Sequence, residues 1–173
     1  MPHADLLLDD FSHPAGRADM APDWALLSDG VMGGLSQGAL RREMVRGRPA
    51  LRLTGRVSLA NNGGFVQAAR DLAPDGGDLD ARRFTGLRLT VCGNGETYNL
   101  HLRSADVTRP WQSYRASFVA GAAWAEVTLP FAAFAPHRIE APLDLSRLRR
   151  IGLVAIGRAF DADLAVARIT LLA

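Results

Sequence analysis

The chain of 173 residues contains no lysine, so all 20 of its basic residues are arginine. It has a single cysteine, Cys92. That excludes an internal disulfide framework and any multi-cysteine metal site. Aromatic residues make up only 7%. The four histidines, His3, His13, His101 and His137, never recur at metal-ligand spacing. No Gly-x-Ser-x-Gly elbow is present to hold a nucleophilic serine, and Gly33-Gly34 lacks the Gly-Lys-Ser/Thr ending of a phosphate loop. No apolar run approaches the ~20 residues that cross a bilayer as a helix. Leu6-Leu7-Leu8 is too short for the apolar stretch of a secretory signal, and acids follow where cleavage would fall. These absences predict a soluble, cytoplasmic protein without a transmembrane segment, a metal or a cofactor.

Charge is modest in sum and uneven along the chain. The net charge is +2 and the pI about 9.3, too little excess for a nucleic-acid binder. Residues 1–30 hold six acids (Asp5, Asp9, Asp10, Asp19, Asp23, Asp29) against Arg17. Residues 31–60 hold six arginines (41, 42, 46, 48, 52, 56) against Glu43. Mutual neutralisation of the two segments is the expectation. A chain of this length buries roughly 70% of its unfolded surface as one domain, and residues 1–173 contain no linker, repeat or low-complexity segment that would divide it.

What is present is period-two alternation. Leu51-Arg52-Leu53-Thr54-Gly55-Arg56-Val57, Leu87-Arg88-Leu89-Thr90-Val91 and Tyr98-Asn99-Leu100-His101-Leu102-Arg103 each read as a strand with one face in a core. More apolar strands are expected over 64–69, 112–119, 124–129, 151–156 and 164–172. Gly93-Asn94-Gly95 predicts a hairpin between its flanking strands. Helix is confined to single turns at Phe131–Phe134, after Pro130, and at 144–149, where Asp144 is the cap. Residues 1–20 read as an edge strand plus a loop. Nine or ten short strands argue for an all-β, jelly-roll β-sandwich of two antiparallel sheets.

Glycine, with 17 residues, supplies the motifs: Ser28-Asp29-Gly30-Val31-Met32-Gly33-Gly34-Leu35-Ser36 and Asn61-Asn62-Gly63-Gly64-Phe65. Glycine tolerates unusual backbone angles and close approach of other groups. Each motif therefore reads either as a sandwich corner, with Asp29 and Asn62 capping their own turns, or as a wall of a binding site that includes Met32, Ser36 and Phe65. Alternation aims Arg88, Thr90, Asn99, His101, Arg103, Ser113, Arg115 and Ser117 away from the core. On neighbouring strands these would form one polar face, either plainly solvated or ligand-binding. Trp111, after Pro110, is expected to be exposed, as a sugar platform or protein hot spot; Trp24 and Trp124 are expected in the core. His137 is expected in a loop, and His3 and His13 in a mobile start. Cys92, on the outward parity, reads as an unreactive thiol. Asp75-Gly76-Gly77-Asp78-Leu79-Asp80 reads as a turn, with a calcium loop as the other possibility. A catalytic His101 would need a nucleophile within reach, and the sequence identifies none.

The two glycine motifs, with Trp24 ahead of the first, resemble the signatures of the complex I intermediate-associated protein 30 family. Further matches follow in order: Gly86-Leu87; Gly93-Asn94-Gly95 with Tyr98; Tyr114-Arg115-Ala116-Ser117-Phe118; Trp124 with Leu129-Pro130-Phe131; and Leu143-Asp144-Leu145-Ser146 leading to Ile151-Gly152-Leu153. The resemblance covers about residues 20–172. It implies a galactose-binding-like sandwich. Its best-known members assist assembly of respiratory complex I (NADH:ubiquinone oxidoreductase); others, bacterial ones included, sit in unrelated settings. The expected function is thus a non-catalytic, chaperone-like assembly module acting through protein contacts, with respiratory-complex subunits as partners. The alternative is a carbohydrate- or small-ligand-binding module. Asp29, Met32, Ser36, Asn62, Phe65, His101, Arg103, Trp111 and Arg115 are the candidate binding residues.

Overall fold

Alternation along the chain resolves into strands β1 (Leu6–Asp9), β2 (Ala25–Ser28), β3 (Gln37–Val45), β4 (Arg48–Val57), β5 (Phe65–Asp71), β6 (Gly86–Gly93), β7 (Thr97–Ser104), β8 (Ser113–Val119), β9 (Ala125–Pro130), β10 (Ala135–His137), β11 (Leu148–Ile156) and β12 (Phe160–Leu172). The structure is a computed structural model that describes residues 4–12 and 23–173, with the side chains of Val31, Met32 and Asn62 outside the description. His3 and His13 also lie outside the described residues, as does most of the expected N-terminal loop. The expected edge strand is β1, which pairs with the second half of β12.

Two six-stranded sheets face each other. The first runs β3-β4-β12-β6-β9, with β1 also on β12; the second runs β10-β8-β7-β11-β5-β2. Every strand pair is antiparallel, so the chain is a jelly-roll β-sandwich. One parity of each sheet fills the space between them. Leu53, Leu87, Leu89, Leu164 and Ile169 come from the first sheet, and Tyr98, Leu100, Leu102, Ile151 and Leu153 from the second, all fully buried. Removal of such surface from water is the main term that holds the sheets together. The two expected helical turns are present at Phe131–Ala133 and Leu145–Arg147, the second capped by Asp144, which accepts from the Ser146 N–H at 3.0 Å. Among the described residues no helix is long and apolar enough to cross a membrane.

Four expectations change. Gly93-Asn94-Gly95 is a crossover between sheets and not a hairpin, because β6 and β7 belong to different sheets. Its N–H groups are satisfied elsewhere. Gly93 donates to Gly121 O (2.7 Å), Asn94 to Asp163 O (3.2 Å) and Gly95 to Ala120 O (2.7 Å), so this crossover is braced by the β8–β9 crossover and by β12. For the same reason Arg88 and Thr90, on β6, do not share a face with the polar residues of β7 and β8, and Thr90 is buried. Cys92 is outward by parity yet buried, packed with Ala50 and Ala165 and covered by Trp124 and Val45. Trp124, expected in the core, lies instead on that outer face and donates its Nε1–H to Val45 O at 3.2 Å. Trp24 is buried in the main core as expected.

The charge asymmetry is relieved in two ways. Arg42 pairs with Asp23 at 2.6 Å and approaches Asp9 at 3.8 Å, joining the acidic start to the basic strand as anticipated. Arg52 and Arg56 turn instead to Asp163 and Asp161 of β12. In the 75–80 segment each acid has a partner. Asp75 accepts from the Gly77 N–H, Asp78 meets Arg149, and Asp80 meets Arg82. The Asp75 and Asp80 contacts, each two residues away, are turn chemistry.

Candidate functional site

The outer face of the second sheet carries a cleft of about 410 Å³. Antiparallel register lays out its floor. One row across the sheet reads Arg115, His101, Gly152, Ala69, Ala25. The next reads Ser117, Asn99, Val154, Gln67, Leu27, and beyond it Ile156 stands opposite Phe65. In the first row large polar side chains thus stand on β7 and β8, while glycine and alanine keep the face low from β11 to the β2 edge. A Cβ at Gly152 would stand 2.4 Å from the Gln67 amide oxygen, so this glycine lets the Gln67 side chain lie across the floor. The 105–112 loop forms one rim, where Pro110, Trp111 and Gln112 line the cleft and Trp111 is 51% exposed.

Arg103 holds that rim. Its guanidinium donates to the carbonyls of Arg109, Pro110 and Gln112 at 3.3–3.4 Å, and the Gln112 side chain accepts the N–H groups of Thr108 and Arg109. Arg115 donates its Nε–H to Ser113 Oγ at 2.8 Å. His101 is almost wholly buried, and its Nε2 has no hydrogen-bond partner. Burial, with the positive field of Arg115, His137 and Arg103 added, pushes the His101 imidazole down to about 3, so it is neutral near pH 7. His137 is not in a loop. It ends β10, opposite Ser113, and lines the cleft, its pKa also lowered by burial and by Arg115.

The glycine motifs meet at one end of this cleft, around a buried carboxylate. Asp29 is fully buried. It accepts from the Ser36 N–H (3.0 Å), the Ser36 hydroxyl (2.5 Å), the Gly64 N–H (2.5 Å) and the Phe65 N–H (3.2 Å). Burial raises its pKa, but the Ser36 hydroxyl and the Gly64, Ser36 and Phe65 N–H groups outweigh that and leave it below the usual carboxylate value. A Cβ on Gly34 would lie 2.4 Å from this carboxyl group, and one on Gly63 2.5 Å from it. One glycine of each pair is therefore required by close approach to Asp29. Asp29 does not cap its own turn. Ser28 does, accepting from the Gly30 N–H at 3.4 Å.

Of the candidate residues read from sequence, Phe65, His101, Arg103, Trp111 and Arg115 line the cleft together. Asp29 and Ser36 sit in the buried knot behind its end. Met32 and Asn62 have side chains outside the description. Sequence reasoning missed Leu27, Ser28, Gln67, Gln112, His137, Arg150, Val154 and Ile156. Four of these lie on β5 and β11, whose apolar runs hide which parity faces out. Only the placement of β11 between β7 and β5 brings them beside His101. Among the described residues no group of three or more His, Cys, Asp or Glu is arranged to hold a metal ion.

The model of the family described as complex I intermediate-associated protein 30 matches residues 10–166, and the chain belongs to that family. No curated protein sequence matches it. Among solved structures it is similar to a family 11 carbohydrate-binding module from Clostridium thermocellum in complex with a β-1,3-1,4-mixed-linked tetrasaccharide. That match has TM-score 0.72 and 15% identity, over 97% of this chain and 95% of that one. The family 11 module of the C. thermocellum cellulase Lic26A-Cel5E matches with TM-score 0.75 and 14% identity, over 98% and 94%. The family 30 module of the C. thermocellum cellulase Cel9D-Cel44B matches with TM-score 0.70 and 14% identity, over 99% and 98%. At these identities the likeness is one of fold.

Proposed function

We propose that this member of the complex I intermediate-associated protein 30 family is a non-catalytic binding module that seats a saccharide in the cleft on the outer face of its second sheet. The observation that carries the reading is the Trp111 ring, exposed on the rim above a cleft of about 410 Å³ floored by imidazole, guanidinium and amide groups. A flat aromatic supplies apolar contact to a sugar ring, and fixed polar groups meet its hydroxyls. A sandwich of the same fold, at 15% identity, has been solved with a tetrasaccharide bound, which lends support by analogy. The non-catalytic part of the reading rests on the cleft chemistry. Ser113 Oγ accepts from a guanidinium, which cannot act as its base, and the His101 imidazole, pushed down to about 3 by burial, is too weak a base to take a proton from a nucleophile near pH 7.

Binding of a mixed-linked β-glucan tetrasaccharide and of an acidic oligosaccharide panel, followed by isothermal titration calorimetry, tests this. Saturable binding that Trp111→Ala weakens at least tenfold, with the melting temperature kept, is the expected result. Saturable binding unaffected by that substitution, or none to any saccharide, would overturn it.

A second reading, docking onto a protein such as a respiratory-complex subunit, is favoured by the family's description and by one feature. Leu35 and Leu59 are both exposed, and they flank Ser36 and Ser58, which hydrogen-bond to each other at 2.9 Å. Capture of defined complex I subunits that is lost in Leu35→Ser/Leu59→Ser, with saccharide binding absent, would establish it instead.

A further inference from the structure

The cleft is lined by Arg103, Arg115, Arg150, His101 and His137, and by no aspartate or glutamate. Arg150 reaches a carboxylate outside the lining, Asp71, at 3.3 Å. Among the described residues neither Arg103 nor Arg115 has an acidic partner. Their bonds go to backbone carbonyls and to Ser113 Oγ. The other described arginines without an acidic partner, among them Arg41, Arg46, Arg109 and Arg168, are exposed, whereas the partly buried Arg42, Arg52, Arg88 and Arg158 pair with acids. Both cleft arginines are partly buried, and each has its pKa lowered by burial and by another arginine, Arg150 for Arg103 and Arg138 for Arg115. Like charges held together out of water repel, and among the described residues no carboxylate pairs with Arg103 or Arg115 to offset this. A second observation is independent of charge. His101, next to Arg115 in the same row, is more than nine-tenths buried, and its Nε2 has no partner. Buried polar atoms without partners are costly and rare in folded proteins.

We infer that the cleft selects an acidic saccharide, one bearing a carboxylate as in a uronic acid, with the sugar ring against Trp111 and the carboxylate at the Arg115–Arg103 side of the floor. This rests on the saccharide reading above and adds the charge of the ligand. A carboxylate matches a guanidinium by two parallel hydrogen bonds, which a hydroxyl cannot reproduce. Arg103 is committed to the rim carbonyls through its Nη atoms. Arg115, held only through Nε, keeps its outer edge for the ligand. Arg103 is a positioning residue for the rim, and Arg115 is the direct contact.

Calorimetry with four probes at 150 mM salt tests the assignment: an oligogalacturonate, its methyl ester, the neutral mixed-linked tetrasaccharide and a poly-glutamate peptide of equal charge. The expected result is an oligogalacturonate affinity at least tenfold above that of its methyl ester. Arg115→Gln should remove that preference, Arg115→Lys should restore it in part, and Trp111→Ala should lower all saccharide binding. Equal affinity for the acid and its ester, or for the neutral tetrasaccharide, would overturn the acidic assignment and leave the saccharide reading standing. Binding of the peptide as tightly as the oligogalacturonate, insensitive to Trp111→Ala, would overturn both, as would no binding at all. Melting curves of each variant keep loss of fold distinct from loss of the contact.

Discussion

Gly64 donates its backbone N–H to the Asp29 carboxylate at 2.5 Å, across 35 positions of sequence. Through that bond the two glycine motifs become one structure. Asp29 lies just after β2 and Gly64 just before β5, and these strands are neighbours at the edge of the second sheet. The same carboxylate holds the N–H of Phe65, which lines the cleft. The knot is therefore a structural brace that also sets one end of the candidate site.

Asp29→Asn should destabilise the protein by about 3 kcal/mol. All four groups facing the carboxylate are donors, and an amide can accept on only one side, leaving donors opposed in a buried place. The acidic side of the stability curve carries the same signature. With its folded pKa below the unfolded value, Asp29 contributes stability that is fully present above ~4 and lost as pH falls through the folded value. Urea unfolding from pH 6 down to pH 2.5, in wild type and variant, measures both. A variant within 0.5 kcal/mol of wild type (about the error of the method) would refute the brace.

Gly34→Ala and Gly63→Ala should each cost about 2 kcal/mol, since the new methyl would collide with the Asp29 carboxyl group. Gly121→Ala, where a Cβ meets nothing within 4 Å, should stay within about 0.5 kcal/mol of wild type. Thermal melts of the three variants make the comparison. Equal losses at all three positions would show that helix- or strand-propensity effects, not proximity to Asp29, dominate.

Stability should fall as the pH drops below ~6.5. Above that value His101 is neutral in both states; below it the unfolded chain takes up a proton that the folded chain, with its imidazole pushed down to about 3, refuses. Between pH 7.5 and pH 5 this group alone should remove about 2 kcal/mol, levelling off only below pH 3. His137, shifted in the same direction, adds to the slope. In His101→Gln the fall over that interval should be clearly shallower. Identical slopes in denaturant titrations of the two proteins would contradict the assignment.

Tyr98→Phe should cost about 1–2 kcal/mol. The Tyr98 hydroxyl donates to Asn94 Oδ1 at 2.6 Å and accepts from the Asp163 N–H at 2.8 Å. It thereby ties the 93–95 crossover to β12 from inside the core, and burial pushes its pKa up to about 12. Hydrogen exchange at Asn94 and Asp163 should rise in the variant, while exchange in β3 should not. Unchanged protection at both amides would sink the idea.

Most strands were legible in the sequence because alternation is local. Leu51 to Val57 and Tyr98 to Arg103 each show which side chains face a core without any knowledge of the partner strand. The single turns after Pro130 and Asp144 were legible for the same reason, since a cap and its turn lie within four residues. The candidate site was only half legible. Parity marked His101, Arg103 and Arg115, and the Pro110–Trp111 pair marked the rim. Parity alone also placed Arg88 and Thr90 with them, because it does not say which sheet a strand joins.

The sequence by itself determined the all-β class, the sandwich and the family, through ordered short motifs and period two. Tertiary structure alone decided that Gly93-Asn94-Gly95 crosses between sheets and that β11 inserts between β7 and β5. It alone also decided that Asp29 is the shared partner of two distant glycine loops. Each of these is a pairing between segments tens of residues apart. Such pairings depend on which donors, acceptors and apolar surfaces are satisfied together in the packed chain, and no local spacing records that.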